Sequence, residues 1–209
     1  MPTTIKYTAN GATDLLCQTV TKTASTDGSS NGLVAFTFRH LLSKVNFTVT
    51  NGSTEAKSYS FVVKNIKFNG NTYGECDVQY PAMNTSAKAV WNDTKFTTDD
   101  TIVGNTREVG GNTVKDIVVA TGVASNDLVT EVLFLPGTYK ISFTVDILCN
   151  GTLLTSTNYP TTGTYEYKLV ENSAYNFNVN VSVGELIQFT ATQMDGWDND
   201  DVTTTVTLK

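Results

Sequence analysis

Short runs in which apolar and polar residues alternate recur along the whole chain, and no segment has sustained helical periodicity. Alternation with a period of two is typical of a strand that buries one face. The 209 residues include 36 Thr, 23 Val and 19 Asn, and these residue types favour strands and turns. We therefore expect an all-β fold, an antiparallel β-sandwich of Greek-key type with about a dozen strands and little or no helix.

The predicted strands are separated by turns rich in glycine, asparagine and proline. They cover residues 33–40, 45–50, 58–68, 114–120, 130–135, 138–148, 152–157, 164–170, 175–183, 186–192 and 202–208. We expect turns at Asn69-Gly70, Pro136-Gly137 and Asn150-Gly151, and loops over 21–32 and 97–113.

One short segment must redirect the chain between two strands. Phe38 and His40 alternate at even positions, whereas Val45 and Phe47 alternate at odd positions. A shift of one residue in a strand exposes its opposite face. Residues 41–44 are therefore expected to contain a bulge, a corner or a turn.

The charge balance excludes several kinds of partner. The chain has 14 Lys and Arg against 20 Asp and Glu, a net charge of -6, and its only arginines are Arg39 and Arg107. Nucleic-acid binding needs clustered cations, so we expect no nucleic-acid partner. There is no apolar run of about 18 residues to span a membrane, and the first residues do not form a signal peptide. The chain is then either cytosolic or a mature or truncated piece of an exported protein.

The three cysteines, Cys17, Cys76 and Cys149, cannot all pair with one another. They lie far apart in the sequence and form no Cys-x-x-Cys pair, so we expect no zinc site. We expect buried free thiols. The sequence leaves open whether any two of them form a disulfide.

Residues for enzymatic chemistry are scarce. His40 is the only histidine and shares a strand face with Phe38, so we expect both to be structural. The sequence has no Gly-x-Ser-x-Gly and no glycine-rich phosphate loop. The acidic stretch 195–201 offers oxygens but lacks the spacing of a calcium loop, and we expect a solvated turn there. We therefore expect no enzymatic activity, no metal and no cofactor.

Two tryptophans are candidates for contact with a glycan, because a flat aromatic ring packs on the apolar face of a sugar. Trp197 lies in the polar acidic stretch, and Trp91 is the second candidate. A carbohydrate-binding β-sandwich module of an exported glycan-utilisation system is therefore an alternative function. A hydrolase with a pair of carboxylates is a third, for which the sequence identifies no specific pair.

Several stretches resemble a known family. Residues 14–16 (Asp-Leu-Leu), a spacer rich in Thr and Ser, and residues 34–47 (Val-Ala-Phe-Thr-Phe-Arg-His-Leu-Leu-Ser-Lys-Val-Asn-Phe) are similar to a block in the fimbrillin-like proteins of Bacteroides-type bacteria. Segment 133–137, segment 186–190 and Trp197 are similar to later parts of that family. The resemblance extends from about residue 4 to 209.

In that family the block lies where the second of two β-sandwich domains begins. The resemblance implies that residues 1–30 are a leading strand and linker from an N-terminal domain, and that residues 31–209 are the C-terminal domain. It also implies a parent protein at the cell surface, in the outer membrane or fimbrium, with a lipid anchor on an N-terminal region that this chain lacks. The implied function is that of a pilus subunit or pilus-associated adhesin. The implied partners are other pilus subunits or surface proteins, and host or bacterial surface glycans or proteins.

Members of that family assemble by strand exchange, in which a strand of one subunit completes the open sandwich of the next. The acceptor groove of the family lies in the N-terminal domain and is opened by proteolysis. In this chain the candidate donor is the terminal segment 202–208, because Val202, Thr204, Val206 and Leu208 alternate on one face. The alternative is an ordinary last strand that pairs within its own chain.

Overall fold

The computed structural model is built almost entirely of β-strands and describes residues 4–8, 13–22, 34–51, 59–79, 88–102, 108–109, 112–113, 117–120, 124–181, 187–195 and 200–208. Its strands are Thr4–Thr8 (β1), Leu16–Lys22 (β2), Val34–His40 (β3), Ser43–Asn51 (β4), Tyr59–Gln79 (β5), Lys88–Trp91 (β6), Thr97–Ile102 (β7), Glu108–Val109 (β8), Asn112–Thr113 (β9), Ile117–Ala120 (β10), Ala124–Phe134 (β11), Gly137–Cys149 (β12), Thr152–Tyr159 (β13), Tyr165–Leu169 (β14), Ser173–Val181 (β15), Gln188–Asp195 (β16) and Asp200–Leu208 (β17). A turn of 3-10 helix spans Asp93–Lys95.

Two large sheets pack face to face. One has the order β1-β5-β12-β13, with β6, β7 and β10 also paired to β5 and β14 paired to β12. The other has the order β11-β4-β15-β16-β17. Among the described strands, only β4 and β15 run parallel. The expected all-β, mostly antiparallel sandwich is confirmed, and the short pairs β2-β3 and β8-β9 add to it.

The core between the two sheets is rich in aromatic side chains. Side chains alternate between buried and more exposed positions over residues 138–143 of β12 and 175–181 of β15. The ring of Phe47 lies 5.9 Å from the rings of both Phe143 and Phe189, which joins the two sheets. Burying one such side chain contributes about 2–3 kcal/mol.

Leu41 and Leu42 form a corner between β3 and β4. Both are buried in a second, smaller apolar cluster that includes Cys76 and Trp91. The backbone N–H of Asn172 donates to the Leu42 carbonyl oxygen at 3.0 Å and fixes the corner. The predicted break in alternation is confirmed, and it allows β3 to leave the five-stranded sheet and pair with β2.

The predicted hairpin at Asn69-Gly70 is wrong, because β5 runs through it without a turn. Gly70 instead allows the ring of Tyr139 to lie against the backbone of β5. A Cβ at this position would lie 2.2 Å from the Cδ1 atom of Tyr139, whose side chain is fully buried. The Tyr139 hydroxyl lies 2.8 Å from the Asn71 carbonyl oxygen and 2.9 Å from that of Leu135, so it can donate to either.

The predicted loop over 97–113 is also wrong in part. Residues 97–102 form β7 and pair with β5, and β8 pairs with β9. Threonine favours strands, and β5 has an unpaired edge next to these residues. Pairing with β5 therefore makes a strand of a segment whose acidic composition predicts a loop. The turn at Asn150-Gly151 is confirmed, with φ angles of 49° and 78°. Beyond Lys22, the predicted loop over 21–32 lies outside the described residues.

The three cysteines are free thiols, as expected, but they differ in burial. Cys76 is fully buried, whereas Cys17 and Cys149 are partly exposed. Burial raises the pKa of the Cys76 thiol to about 11. The expectation of buried thiols is therefore correct for Cys76 alone. Cys17 belongs to the two-stranded β2-β3 pair, and Cys149 ends β12 next to the turn, which leaves both near the surface.

Candidate functional site

The terminal strand β17 lies at one edge of the five-stranded sheet and pairs antiparallel with β16. The register places Leu208 opposite Phe189, Val206 opposite Ala191 and Thr204 opposite Gln193. Val202 lies where the register shifts, next to the Asp195–Asp200 pair. The ladder therefore places two alternate residues of the terminal strand, Leu208 and Val206, opposite the buried residues Phe189 and Ala191 of β16.

The neighbouring strand β16 is anchored in the core through Phe189. Its ring centroid lies 5.0 Å from Tyr165, 5.3 Å from Phe143 and 5.7 Å from Phe177. In contrast, β17 pairs with no described strand other than β16. An edge strand presents unpaired backbone groups and is the part of a sheet most readily exchanged with another chain.

Residues of the family-like block meet around the Leu41–Leu42 corner. The Nδ1 atom of His40 lies 2.7 Å from the Oδ2 atom of Asp14. The backbone N–H of Leu41 donates to the Leu15 carbonyl oxygen at 2.9 Å. Residues that are distant in the sequence are thus hydrogen-bonded to each other, and the block holds the entry of the chain into β4.

Contacts from the chain around residue 172 complete this corner. The backbone N–H of His40 donates to the Asn172 side-chain oxygen at 3.1 Å. Arg39 forms an ion pair with Glu171 at 2.5 Å. The Trp91 indole N–H donates to the Leu41 carbonyl oxygen at 2.8 Å. The whole arrangement is a hydrogen-bonded scaffold, which supports the structural role predicted for His40.

Replacing His40 with alanine is expected to lower stability by about 1–2 kcal/mol, because the Oδ2 atom of Asp14 then loses its contact with the imidazole. For a chain of this size the melting temperature should fall by about 2–8 °C. Thermal unfolding followed by circular dichroism measures this effect. A double-mutant cycle with Asp14→Ala should show that the two residues act together. Loss of a binding property at unchanged stability would show that His40 is functional instead.

Two of the predicted site residues are placed differently from expectation. Phe38, expected to share an inner face with His40, has 59% of its surface exposed. Its strand β3 belongs to the β2-β3 pair and not to a large sheet, so the core does not cover it. Trp91, a candidate for glycan contact, is buried with only 7% exposed, and neighbouring side chains cover its ring. It therefore offers no platform to a sugar. Trp197, the other candidate, lies outside the described residues.

The described residues show no cluster of three or more His, Cys, Asp or Glu side chains that could hold a metal ion. The described part of the chain also contains no helix with the length and hydropathy needed to cross a membrane.

Tyr7 of β1 is partly buried. Burial, with a smaller effect of Asp14, raises the pKa of Tyr7 to about 12. The Tyr7 hydroxyl donates to the Thr13 carbonyl oxygen, which ties β1 to the segment before β2.

One ion pair is nearly buried on the outer face of the eight-stranded sheet. Lys64 of β5 contacts Asp146 of β12. Burial raises the pKa of Asp146, but hydrogen bonds from Lys64 and Ser156 and the charge of Lys64 outweigh this and leave the pKa lowered. Ionised Asp146 therefore stabilises the fold at pH values above the pKa of an unfolded aspartate. This stabilisation is lost as the pH falls through the lower pKa that Asp146 has in the folded protein.

The sequence matches the profile described as fimbrillin-like over residues 2–197. The chain belongs to the fimbrillin-like family. The match includes the block at residues 14–16 and 34–47, whose residues form the corner in the structure. No curated protein matches this fimbrillin-like chain.

Solved structures align with this fimbrillin-like chain to different extents. A fimbrial protein from Bacteroides vulgatus aligns with a TM-score of 0.52 and 16% identity, over 83% of this chain and 59% of that chain. Proposed cell adhesion proteins from Bacteroides uniformis and Bacteroides ovatus align with TM-scores of 0.37 and 0.40 at 14% and 13% identity. They are matched over 92% and 95% of this chain and over 66% and 62% of their own. This fimbrillin-like chain thus spans less than two thirds of the length of each of these structures.

The eight-stranded sheet has a polar cleft on its outer face that no sequence motif predicts. It is lined by residues of β5, β12 and β13, among them Lys67, Ser142 and Asn158. These residues lie far apart in the sequence and match no motif. Only the pairing of the three strands brings them together.

Proposed function

We propose that this chain is a non-enzymatic structural protein of the bacterial cell surface, acting as a pilus subunit or a pilus-associated adhesin. The single observation that carries the proposal is the fimbrillin-like match over residues 2–197. The shared fold with a fimbrial protein is consistent with it. Its partners are then other pilus subunits or surface proteins, as the family resemblance implies.

The mode of assembly that we propose is strand exchange with β17 as the donor. The edge position of β17 supports this, since leaving its sheet breaks pairing with β16 alone among the described strands. The register also supports it, because Val206 and Leu208 pair with the buried residues Ala191 and Phe189, and an apolar residue at every second position suits a groove on another subunit. Backbone hydrogen bonds would supply affinity, and the alternating side chains would set the register.

We also propose that the full parent protein has a further N-terminal domain that carries a lipid anchor to the outer membrane, with residues 1–30 leading from it. The family resemblance supports this organisation. In the structure, β1 pairs with β5 and β2 pairs with β3, so parts of this leading segment lie on the sandwich.

A reversible cross-link tests the donor role in the full chain. Thr192→Cys and Thr205→Cys introduce a disulfide between two register partners of β16 and β17, in a background where the two partly exposed cysteines, Cys17 and Cys149, are serine. We expect the oxidised chain to enter high-mass surface assemblies about tenfold less than the parent chain, because the locked strand cannot leave its sheet. Gel electrophoresis of surface fractions from the producing bacterium measures the incorporated fraction.

The matched control is a cross-link between Thr138→Cys and Lys168→Cys, which are register partners of β12 and β14. This chain should assemble normally in both redox states, and reductant should restore assembly of the locked chain. If the oxidised lock assembles as well as the control, β17 is not the donor. Absence of the parent chain from every surface assembly would instead contradict the pilus role itself.

A further inference from the structure

Two of the three cysteines belong to the same part of the molecule. Cys76 of β5 is fully buried inside the second, smaller apolar cluster, and Cys17 of β2 packs against that cluster. Cys17 is partly exposed, so it lies at the margin of the cluster and not at its centre. The two residues are far apart in the sequence, and only the tertiary structure brings both thiols to one cluster.

Hydrogen bonds hold the start of β2 beside the register partner of Cys76. That partner is Trp91 of β6. The Trp91 indole N–H donates to the Leu41 carbonyl oxygen, and the Leu41 N–H donates to the Leu15 carbonyl oxygen. Leu15 and Cys17 are two residues apart and both pack against the cluster, as residues on one face of an extended chain do. The Cys17 side chain is therefore directed to the cluster that contains Cys76.

An ion pair connects the surroundings of the two thiols. Arg39 is opposite Cys17 in the β2-β3 ladder and forms an ion pair with Glu171. Burial is the main cause of the raised pKa of the Cys76 thiol, and smaller contributions come from the charge of Glu171 and then from that of Cys17. The two thiols therefore interact with each other as well as with the same carboxylate.

The third cysteine lies elsewhere in the sheet. Cys149 is opposite Tyr59 and Thr152, beside the turn that joins β12 and β13. Tyr59 begins β5, whereas Cys76 is close to the end of that strand. A strand rises about 3.3 Å per residue, so tens of ångströms separate Cys149 from Cys76. Cys17 is therefore the thiol that is placed to react with Cys76.

We propose that Cys17 and Cys76 form a disulfide when the protein is exported to an oxidising compartment. The inference rests on the proposed surface location, because disulfides persist outside the cytosol. Among the described strands, β2 pairs with β3 alone, so hydrogen bonds and packing hold this pair on the sandwich. The disulfide attaches the pair covalently to β5 of the eight-stranded sheet.

The chemistry is thiol–disulfide exchange with a disulfide oxidant, for which oxidised glutathione is the probe. Cys17 reacts first, because it is partly exposed, whereas Cys76 is buried and its raised pKa keeps it protonated at neutral pH. The Cys17 thiolate attacks one glutathione sulfur, the S–S bond of the oxidant breaks, and one glutathione thiolate leaves. Cys76 then gives its proton to solvent, and its thiolate displaces the second glutathione from Cys17. The protein loses two electrons and two protons, and the oxidant becomes two molecules of reduced glutathione.

Oxidation of the purified, folded Cys149→Ser chain by glutathione tests the pairing. Free thiols are then alkylated in denaturant, and the chain is analysed by mass spectrometry. We expect no alkylated cysteine, no bound glutathione and a digestion product in which the peptides of Cys17 and Cys76 are joined. The disulfide closes a loop of about 60 residues, so the melting temperature should rise by about 5–15 °C and return to its original value with reductant.

Two matched variants of the Cys149→Ser chain test the order of the reaction. Cys76→Ala should retain one glutathione on Cys17, because the thiol that displaces it is missing. Cys17→Ala should take up no glutathione in the folded state, because Cys76 is fully buried. Circular dichroism establishes that both variants fold.

The proposal is overturned if glutathione stays attached to Cys17 in the Cys149→Ser chain, since the two sulfurs are then too far apart to bond. It is also overturned if the link forms only after the chain is unfolded in urea, or if protein recovered from the cell surface has both thiols reduced. Oxidation of the isolated chain involves no assembly, so its failure leaves the pilus proposal intact. Absence of the chain from the cell surface contradicts the pilus proposal even where the isolated chain forms the disulfide.

Discussion

Replacing Gly70 with alanine is expected to destabilise the protein by about 3 kcal/mol or more. The new Cβ would lie 2.2 Å from Cδ1 and 2.4 Å from Cε1 of the buried Tyr139 ring. The ring cannot move aside easily, because its hydroxyl is held by the carbonyl groups of Asn71 and Leu135. The melting temperature should fall by about 6–12 °C, measured by calorimetry or circular dichroism.

Gly163→Ala is the matched control for this clash. Gly163 has a φ angle of 72°, and a Cβ at this position would meet no heavy atom within 4 Å, so alanine there meets backbone strain alone. It should cost about 1 kcal/mol. If Gly70→Ala destabilises no more than Gly163→Ala, the close approach of Tyr139 is not the reason for glycine at position 70. Combining Gly70→Ala with Tyr139→Leu should recover part of the loss, because the smaller side chain makes room for the added methyl group.

Replacing Phe189 with alanine is expected to cost about 3–5 kcal/mol, which makes it the largest single loss that we predict in the sandwich core. Phe189 is fully buried and packs against rings of both large sheets, including Tyr165 at 5.0 Å and Phe177 at 5.7 Å. Removing it leaves a cavity between the sheets and loosens β16. Chemical denaturation gives the free energy of unfolding for the variant and the parent chain.

Gln188→Ala provides the control, because Gln188 precedes Phe189 on β16 and is exposed. It should change stability by no more than about 0.5 kcal/mol. Hydrogen exchange adds a second measurement. In Phe189→Ala the amides of β17 should lose protection together with those of β16, since β16 is the described strand that holds the terminal strand in its sheet. Unchanged protection of β17 would show that the terminal strand is held by something other than the anchored β16.

The hydrogen-exchange result for β17 in Phe189→Ala also concerns the proposed assembly. If β17 is held through β16, the strength of the β16 anchor sets the cost of releasing the terminal strand. A variant that loosens β16 should then release β17 more readily, whereas the cross-link between positions 192 and 205 prevents release. The two variants act on the proposed strand exchange in opposite directions.

The same dipeptide shows how far local sequence signals extend in this chain. Asn150-Gly151 forms the predicted turn, with both residues at positive φ. Asn69-Gly70 lies in the middle of β5, where Asn69 pairs with Lys140 on one side and Asp100 on the other. The turn preference of Asn-Gly is worth little against two ladders of hydrogen bonds and the packing of Tyr139.

For the candidate sites, too, some features could be predicted from the sequence and others could not. The prediction that His40 is structural came from its place on a strand, whereas its partner Asp14 is 26 residues away and carries no signal for this pairing. The burial of Trp91 does not follow from the sequence, because no local pattern signals the small second cluster that covers it. Its cover comes from segments such as the Leu41–Leu42 corner and Leu133, which are distant from β6 along the chain.

The sequence by itself determined the fold class, a break in the alternation at residues 41–44 and the family, because alternation of apolar residues, β-branched composition and the block at 34–47 are local properties of the chain. Only the tertiary structure decided which strands pair, why Gly70 must lack a side chain, and that Lys67, Ser142 and Asn158 line one cleft. These features depend on contacts between residues that are distant in the sequence. The sequence of a strand does not specify which strands lie beside it, since register and strand order in a sheet are set by the packing of the whole core.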